Sequence, residues 1–178
     1  MSLKVIAGKF KGRNLNTLPG FQTRPLLARV KKSLFDILTP KIVGSTFLDL
    51  FAGSGSVGIE ALSRGAKKVV FVENDRNCVK TIEDNLKLFG VAGEAEVIQR
   101  DASQPDALDG KFDIIFIGPP YDMKMLAGII EKTGGVLAKK GLIIGQHHCK
   151  EILPRQIGTL TLFREEKYGD MRLSFFER

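Results

Sequence analysis

Cysteine is scarce in this 178-residue chain, and its scarcity narrows the class of protein. Cys78 and Cys149 lie far apart and form no CxxC pair, so the sequence carries no disulfide framework. That usage fits a reducing compartment, and a cytoplasmic location is expected. Long apolar runs are lacking too: the longest are of strand length, against the roughly 18 residues of a membrane span. The N-terminal MSLKVIAGKFKG shows no apolar signal core. Histidine is confined to His147 and His148, beside which Cys149 is the one soft ligand, so no metal site is expected. No Ser/His/Asp constellation with usable spacing is visible. Without repeats, low-complexity tracts or a clear linker, residues 1–178 are expected to fold as one domain, long enough to bury a full core.

What is present is an ordinary globular composition, 43% apolar and 26% charged, with an uneven charge distribution. Of the net +7, residues 1–41 carry nine Lys/Arg against Asp36, a net of +8, and the remainder carries eighteen against nineteen acids, a net of −1. A basic end on a neutral body suggests a surface facing nucleic acid, although such charge is also what a plain solvated face carries. Lys9, Lys11, Arg13, Arg24 and Arg29 are the candidate phosphate contacts.

Residues 4–6 and 13–15 flank GKFKG and read as a short basic hairpin. From Arg24 to Leu38 apolar residues recur at helical spacing, with Thr23 as a candidate N-cap and Pro25 in the first turn. After Gly44 the rhythm changes to strands at 46–51, 68–73, 94–100, 112–117 and 141–147. These alternate with helices over 53–65, 75–89 and 123–132. A closing antiparallel pair spans 159–167 and 171–176. Such alternation predicts a mostly parallel α/β sheet of Rossmann-like type, with residues 1–41 as a hairpin-and-helix extension.

LDLFAGSGSVG places a Gly-rich turn between strand and helix, where Gly53, Gly55 and Gly58 let backbone approach a ligand at a helix N-terminus. Glu73 ends the next strand, where an acid can accept both hydroxyls of a ribose. Gly53-x-Gly55-x-x-Gly58 is also the dinucleotide fingerprint, so an NAD-dependent oxidoreductase is one reading and a purely structural tight turn another. S-adenosylmethionine (SAM) is favoured by three features. Asp49 precedes the turn and can face a methionine amine; Asp101 ends the third strand near where an adenine amine would lie; and GPPY, residues 118–121, ends the fourth. Each acid can equally serve as a helix cap or a loop charge.

VIAGKFKGRNL, TRPLLARVKKSLFDIL, LDLFAGSGSVGIEALSRGA, VFVENDRNCV and YGDMRLSFF together resemble the RsmD-type methyltransferases, which modify a guanine N2 in bacterial 16S ribosomal RNA, and the similarity runs nearly end to end. The resemblance implies a seven-stranded SAM-dependent methyltransferase sheet and an N-terminal hairpin that touches RNA. It implies that Asp49, Gly53 and Gly55 line the methionine side, that Glu73 holds the ribose, and that Asp101 and Ala102 sit by the adenine. Phe51 and Asn74 complete the expected cofactor contacts, and Gly118, Pro119, Pro120 and Tyr121 form the catalytic turn. The implied partner is 16S rRNA or the assembled small subunit, met by a monomer. Three positions depart from the family pattern. Gly118 stands where Asp begins the Asp-Pro-Pro-Tyr/Phe turn, Leu26 follows Thr-Arg-Pro in place of Thr, and Gln146 precedes His147 in place of Glu. An exocyclic amine is a poor nucleophile whose protons need acceptors, so Gly118 leaves two expectations open: a working or weakened enzyme, or a SAM- and RNA-binding protein impaired in catalysis.

Overall fold

A computed structural model of the chain describes residues 3–18, 27–120 and 125–178. The first described segment is a two-stranded antiparallel ribbon of β1 (Leu3–Lys4) and β2 (Asn14–Leu15), joined through a 3₁₀ turn at Gly8–Phe10. The predicted hairpin is therefore present, with shorter ladders. Helix α1 (Ala28–Ile42) follows and buries Val30, Leu34, Phe35, Leu38 and Ile42 along one stripe. It runs past the expected end at Leu38 and takes Pro40 into its last turn. The expected cap and first turn at Thr23, Arg24 and Pro25 lie outside the described residues.

Strand β3 (Thr46–Leu50) begins the main sheet, and α2 (Ser56–Ser63), β4 (Lys68–Glu73), α3 (Arg76–Phe89) and β5 (Ala95–Gln99) build outward from it. The chain then crosses back to lay β6 (Phe112–Ile117) on the other side of β3. It continues through α4 (Leu126–Thr133) to β7 (Leu137–His148), and ends in β8 (Gln156–Ile157), β9 (Leu160–Tyr168) and β10 (Met171–Glu177). The strand order is β5-β4-β3-β6-β7-β10-β9-β8: parallel from β5 through β7, antiparallel beyond. Seven strands are expected and eight are found, because β8 is two residues long and too short to show alternation in the sequence.

Side chains alternate across this sheet as strand geometry demands. Phe47, Val69, Phe71, Ile114, Phe116 and Ile144 face α1, α2 and α3, whereas Leu48, Leu50, Val70, Val72, Ile115 and Ile117 face the layer containing α4. Helix α3 starts where Asp75 caps it, its carboxylate accepting from the Asn77 and Cys78 amides at 2.9 Å, and stops at the left-handed Gly90.

The N-terminal ribbon is fastened to α2 by buried polar groups. Glu60, fully buried, accepts from the amides of Ile6 (2.8 Å) and Ala7 (3.0 Å) and from Arg64 Nε (2.8 Å). Its remaining reach goes to Lys31 Nζ at 3.4 Å, which also donates to Ser56 Oγ (2.9 Å) and the Lys4 carbonyl (3.2 Å). Burial lowers the Lys31 pKa and the Glu60 charge opposes that shift. Gly8 lets the ribbon come this close: a Cβ there would stand 1.8 Å from the Ser63 carbonyl oxygen. Breaking such a pair leaves an uncompensated buried ammonium, so Glu60→Ala is expected to lower the unfolding free energy by about 3–5 kcal/mol. Urea denaturation monitored by circular dichroism checks this, and a loss below about 1 kcal/mol would contradict a structural role for the pair.

Candidate active site

The strand order reverses between β3 and β6, and the crevice beyond their C-terminal ends is where an open α/β sheet offers a ligand site. Register brings the ends level: Leu50 lies opposite both Val72 and Ile117, and Glu73 lies opposite Gln99. The segments after β3, β4, β5 and β6 thus share one edge, and each contains a predicted site residue.

After β3 the chain turns sharply. Phe51 adopts φ 61°, a left-handed conformation that costs a non-glycine residue energy and is concentrated at functional sites, and Gly53 and Gly55 follow with φ 56° and 76°. Gly58 has a different purpose from the ligand approach expected of it. A Cβ there would fall 2.2 Å from the Phe71 ring, so its absence lets α2 pack on β4. Asp49 Oδ2 accepts from the Gly58 amide at 2.9 Å beneath the turn. Asp49 is buried, and no cation pairs with it among the described residues. Burial, with a further contribution from the Glu73 charge and against the Gly58 hydrogen bond, pushes its pKa up to about 8. The neighbouring Cys78 thiol is pushed up to about 12, first by burial and then by Glu73 and Asp75.

Glu73 is bound tightly to backbone. Its Oε2 accepts from Gly53 N (2.8 Å), and its Oε1 accepts from the amides of Asn74 (2.9 Å) and Asp75 (3.0 Å). Three of a carboxylate's roughly four acceptor positions are used, which fixes the Gly-rich turn against the end of β4. Asn74 is exposed, and its carbonyl accepts from Gln99 Nε2 at 3.4 Å. Asp101 is exposed; its Oδ1 accepts from the Ser103 amide at 2.9 Å, and this bonding lowers its pKa, while Ala102 beside it is buried.

Gly118 follows β6, its amide donating to the Leu50 carbonyl at 3.2 Å. Pro119 is buried and Pro120 exposed; no backbone amide among the described residues donates to the carbonyl of Gly118 or Pro119. Tyr121 lies outside the described residues. A Cβ on Gly118 would meet Phe116 Cε1 at 2.9 Å and Gln146 Oε1 at 3.7 Å.

Two of the candidate phosphate contacts are used within the chain. Lys9 pairs with Glu94 at 3.0 Å. Arg13 lies over the rings of Phe89 (4.5 Å) and Phe10 (5.7 Å) and donates to the Leu88 carbonyl at 2.7 Å. Arg13 holds the ribbon against α3, and Lys9 holds it to the 3₁₀ turn at Ala92–Glu94 that follows. Lys11 and Arg29 are exposed, and Arg24 lies outside the described residues.

Asn85 escaped the sequence reading. Fully buried on α3, it accepts from the Asn16 amide (2.8 Å) and donates to the carbonyls of Asn16 (3.1 Å) and Ser54 (3.2 Å), tying the Gly-rich turn to the end of the ribbon. Its signal was a polar residue within the apolar stripe Cys78, Ile82, Leu86 and Phe89. Two other features lie apart from this arrangement. A cavity of about 500 Å³, lined by Lys68, Ile98, Arg100, Lys111 and Phe112 among others, opens against β4 and β5. Asp170 joins His148 and Cys149, whose potential ligand atoms lie within 4.8 Å of one another, but His148 Nδ1 already accepts from the Lys150 amide.

A buried carboxylate without a cation beside a strained Gly-rich turn fits the ammonium end of an amino-acid-bearing ligand, and SAM has such an end. A family model described as Conserved hypothetical protein 95 matches residues 3–177. YlbH of Bacillus subtilis is 36% identical over 183 residues, covering 99% of each chain. Ribosomal RNA small subunit methyltransferase D of Escherichia coli is 33% identical over 179 residues, 99% of this chain and 90% of its own length. The solved structure of Escherichia coli yhhF matches with a TM-score of 0.88 at 31% identity, covering 100% of this chain and 98% of that one.

The Asp49 shift has a definite sign. Its pKa rises from an ordinary 3.8 to about 8 on folding, so the folded state holds this proton more tightly. The stability this gives is fully present below about pH 4 and is lost as pH rises through about 8. Asp49→Asn is expected to flatten this part of the stability–pH curve, measured by denaturation between about pH 5 and 8. It is also expected to weaken S-adenosylhomocysteine binding by roughly 10- to 100-fold, and binding to the unaltered protein should strengthen over the same pH rise. Equal affinity in both proteins would remove Asp49 from the ligand site.

Proposed function

Given that the chain belongs to the RsmD family of methyltransferases, we propose that it transfers a methyl group from SAM to the exocyclic N2 amine of a guanine in 16S rRNA of the small ribosomal subunit. The observation that carries this reading is the common edge at which the Asp49–Glu73 acids and the Gly118-Pro119 turn meet. Asp49 and the turn through Phe51, Gly53 and Gly55 would hold the methionine end, Glu73 and Asn74 the ribose side, and Asp101 and Ala102 the adenine side. SAM supplies, when bound, a methyl group already activated on a sulfonium sulfur.

The chain's own residues orient the nucleophile. The guanine amine shares its lone pair with the ring, and acceptors directed at its protons localise that pair and stabilise the charge that develops. The carbonyls of Gly118 and Pro119 fill this role, Pro120 stiffens the turn, and Tyr121 is the stacking partner of the extruded base, worth roughly 1–3 kcal/mol. The exposed Lys11 and Arg29, with Arg24, contact phosphate, whereas Lys9 and Arg13 set the position of the ribbon that carries them. The whole chain acts as one domain and as a monomer in the cytoplasm, with residues 1–41 as its RNA-facing part. No helix among the described residues is long and apolar enough to cross a membrane.

Transfer of labelled methyl to small subunits lacking the modification tests the reading, with this protein and Gly118→Asp side by side. The unaltered protein is expected to transfer methyl, and the variant to be faster by up to about 100-fold once the Phe116 ring has shifted to admit the side chain. Transfer by the variant alone would establish the target and the impaired alternative for the protein as it stands. Transfer by neither, with S-adenosylhomocysteine still bound, would refute the assigned target.

A further inference from the structure

We propose that Asn85 is a positioning residue that couples the Gly-rich turn to the N-terminal ribbon, so that a cofactor held at the turn orders the ribbon end; this rests on the cofactor and RNA assignments above. Asn85 lies on α3 and is fully buried. Its amide meets two segments at once. Oδ1 accepts from the Asn16 amide at 2.8 Å, while Nδ2 donates to the carbonyls of Asn16 at 3.1 Å and Ser54 at 3.2 Å. Asn16 directly follows β2, and Ser54 stands between the left-handed Gly53 and Gly55. Toward Asn16 the side chain acts as a neighbouring strand would, exchanging an N–H and a C=O bond with one residue's backbone. The strand pairing of the ribbon ends at Leu15, and Asn85 continues its bonding one residue further.

The coupling follows from the rigidity of the amide group. Its oxygen and both N–H bonds share one plane, so fixing the N–H at Ser54 directs the two bonds at Asn16. The bonding admits one orientation, because a reversed amide would set its NH2 against the Asn16 N–H. Glu73 holds the turn to β4 through the Gly53 amide, whereas Asn85 holds it to the ribbon. A ligand that immobilises the turn thereby orders the ribbon end, and RNA that meets the ribbon loses less conformational entropy on binding. Linkage is reciprocal, so RNA on the ribbon strengthens cofactor binding by the same factor. The ribbon is fastened separately at Ile6 and Ala7 by Glu60, so cutting the Asn85 link leaves it attached to α2.

The test is amide hydrogen exchange, read by mass spectrometry on the full-length protein with and without saturating S-adenosylhomocysteine. It compares the unaltered chain with Asn85→Ala and with Asn16→Pro, which removes one bond of the link from an exposed position. In the unaltered chain the ligand is expected to slow exchange over residues 14–16 by about 5-fold or more. In Asn85→Ala that slowing is expected to fall below about 2-fold, and in Asn16→Pro to be intermediate, with protection of the turn retained and exchange at Ile6 and Ala7 unchanged. A merely structural Asn85 would leave ribbon exchange blind to the ligand in every protein. Equilibrium dialysis of labelled S-adenosylhomocysteine is expected to show its affinity for the unaltered chain rising about 5-fold when unmodified small subunits are present, and rising less in the variants. Exchange over 14–16 that ignores the ligand in the unaltered chain, or slowing that is undiminished in both variants, would overturn the proposal and leave the cofactor assignment standing. If Asn85→Ala has no thermal transition, Asn16→Pro decides alone. Coupled exchange without any effect of small subunits would support the link and remove RNA from the ribbon. Failure of the unaltered chain to bind S-adenosylhomocysteine would overturn the cofactor assignment and the proposal together.

Discussion

The buried ion pair between Lys31 and Glu60 is the constraint on which the arrangement depends. Two charges removed from water are tolerated when every polar atom finds a partner, and these do: the ammonium meets Ser56, Lys4 and Glu60, and the carboxylate meets two ribbon amides, Arg64 and Lys31. The pair joins α1, the N-terminal ribbon and α2. Since α2 starts at the end of the Gly-rich turn, the basic extension and that turn share one mechanical base. Asn85 repeats the connection on the other side by bonding Asn16 and Ser54 together. The geometry of the turn is thus set from behind, by the buried Lys31, Glu60 and Asn85.

The crevice holds two acids in unlike surroundings. Asp49 is buried with one backbone donor and keeps its proton up to about pH 8, and Glu73 beside it gives three of its roughly four acceptor positions to the turn and the strand end. The first group gains from a cation, and the second holds the backbone that would surround one. At the neighbouring strand end Gly118 brings no charge.

Local rules made much of this legible. Strands β4 and β6 match their expected spans because their apolar residues are uninterrupted and their ends are marked by Glu73 and Gly118. Asp75 and Gly90 announced both ends of α3. Asp49 and Glu73 were singled out by position relative to the glycines, and they accept hydrogen bonds from the Gly58 and Gly53 amides. Partners distant in the chain stayed hidden. Nothing near Lys31 signals Glu60, and a lysine on a basic helix reads as solvated until the fold buries it. The contacts of Lys9 with Glu94 and of Arg13 with Phe89 stayed hidden as well, because these residues become neighbours only in the fold. Gly58 was assigned to ligand approach when its reason is the Phe71 ring, which spacing along the chain does not reveal.

The anchoring of the ribbon also bears on how the chain is made. The amides of Ile6 and Ala7 are satisfied by Glu60, which lies 54 and 53 residues further along. At a synthesis rate of about 5–20 residues per second, roughly 3 to 11 s separate the first segment from its partner during translation. These two amides therefore wait for α2 before they are satisfied. Until α2 emerges, this basic segment has no carboxylate for the amides of Ile6 and Ala7.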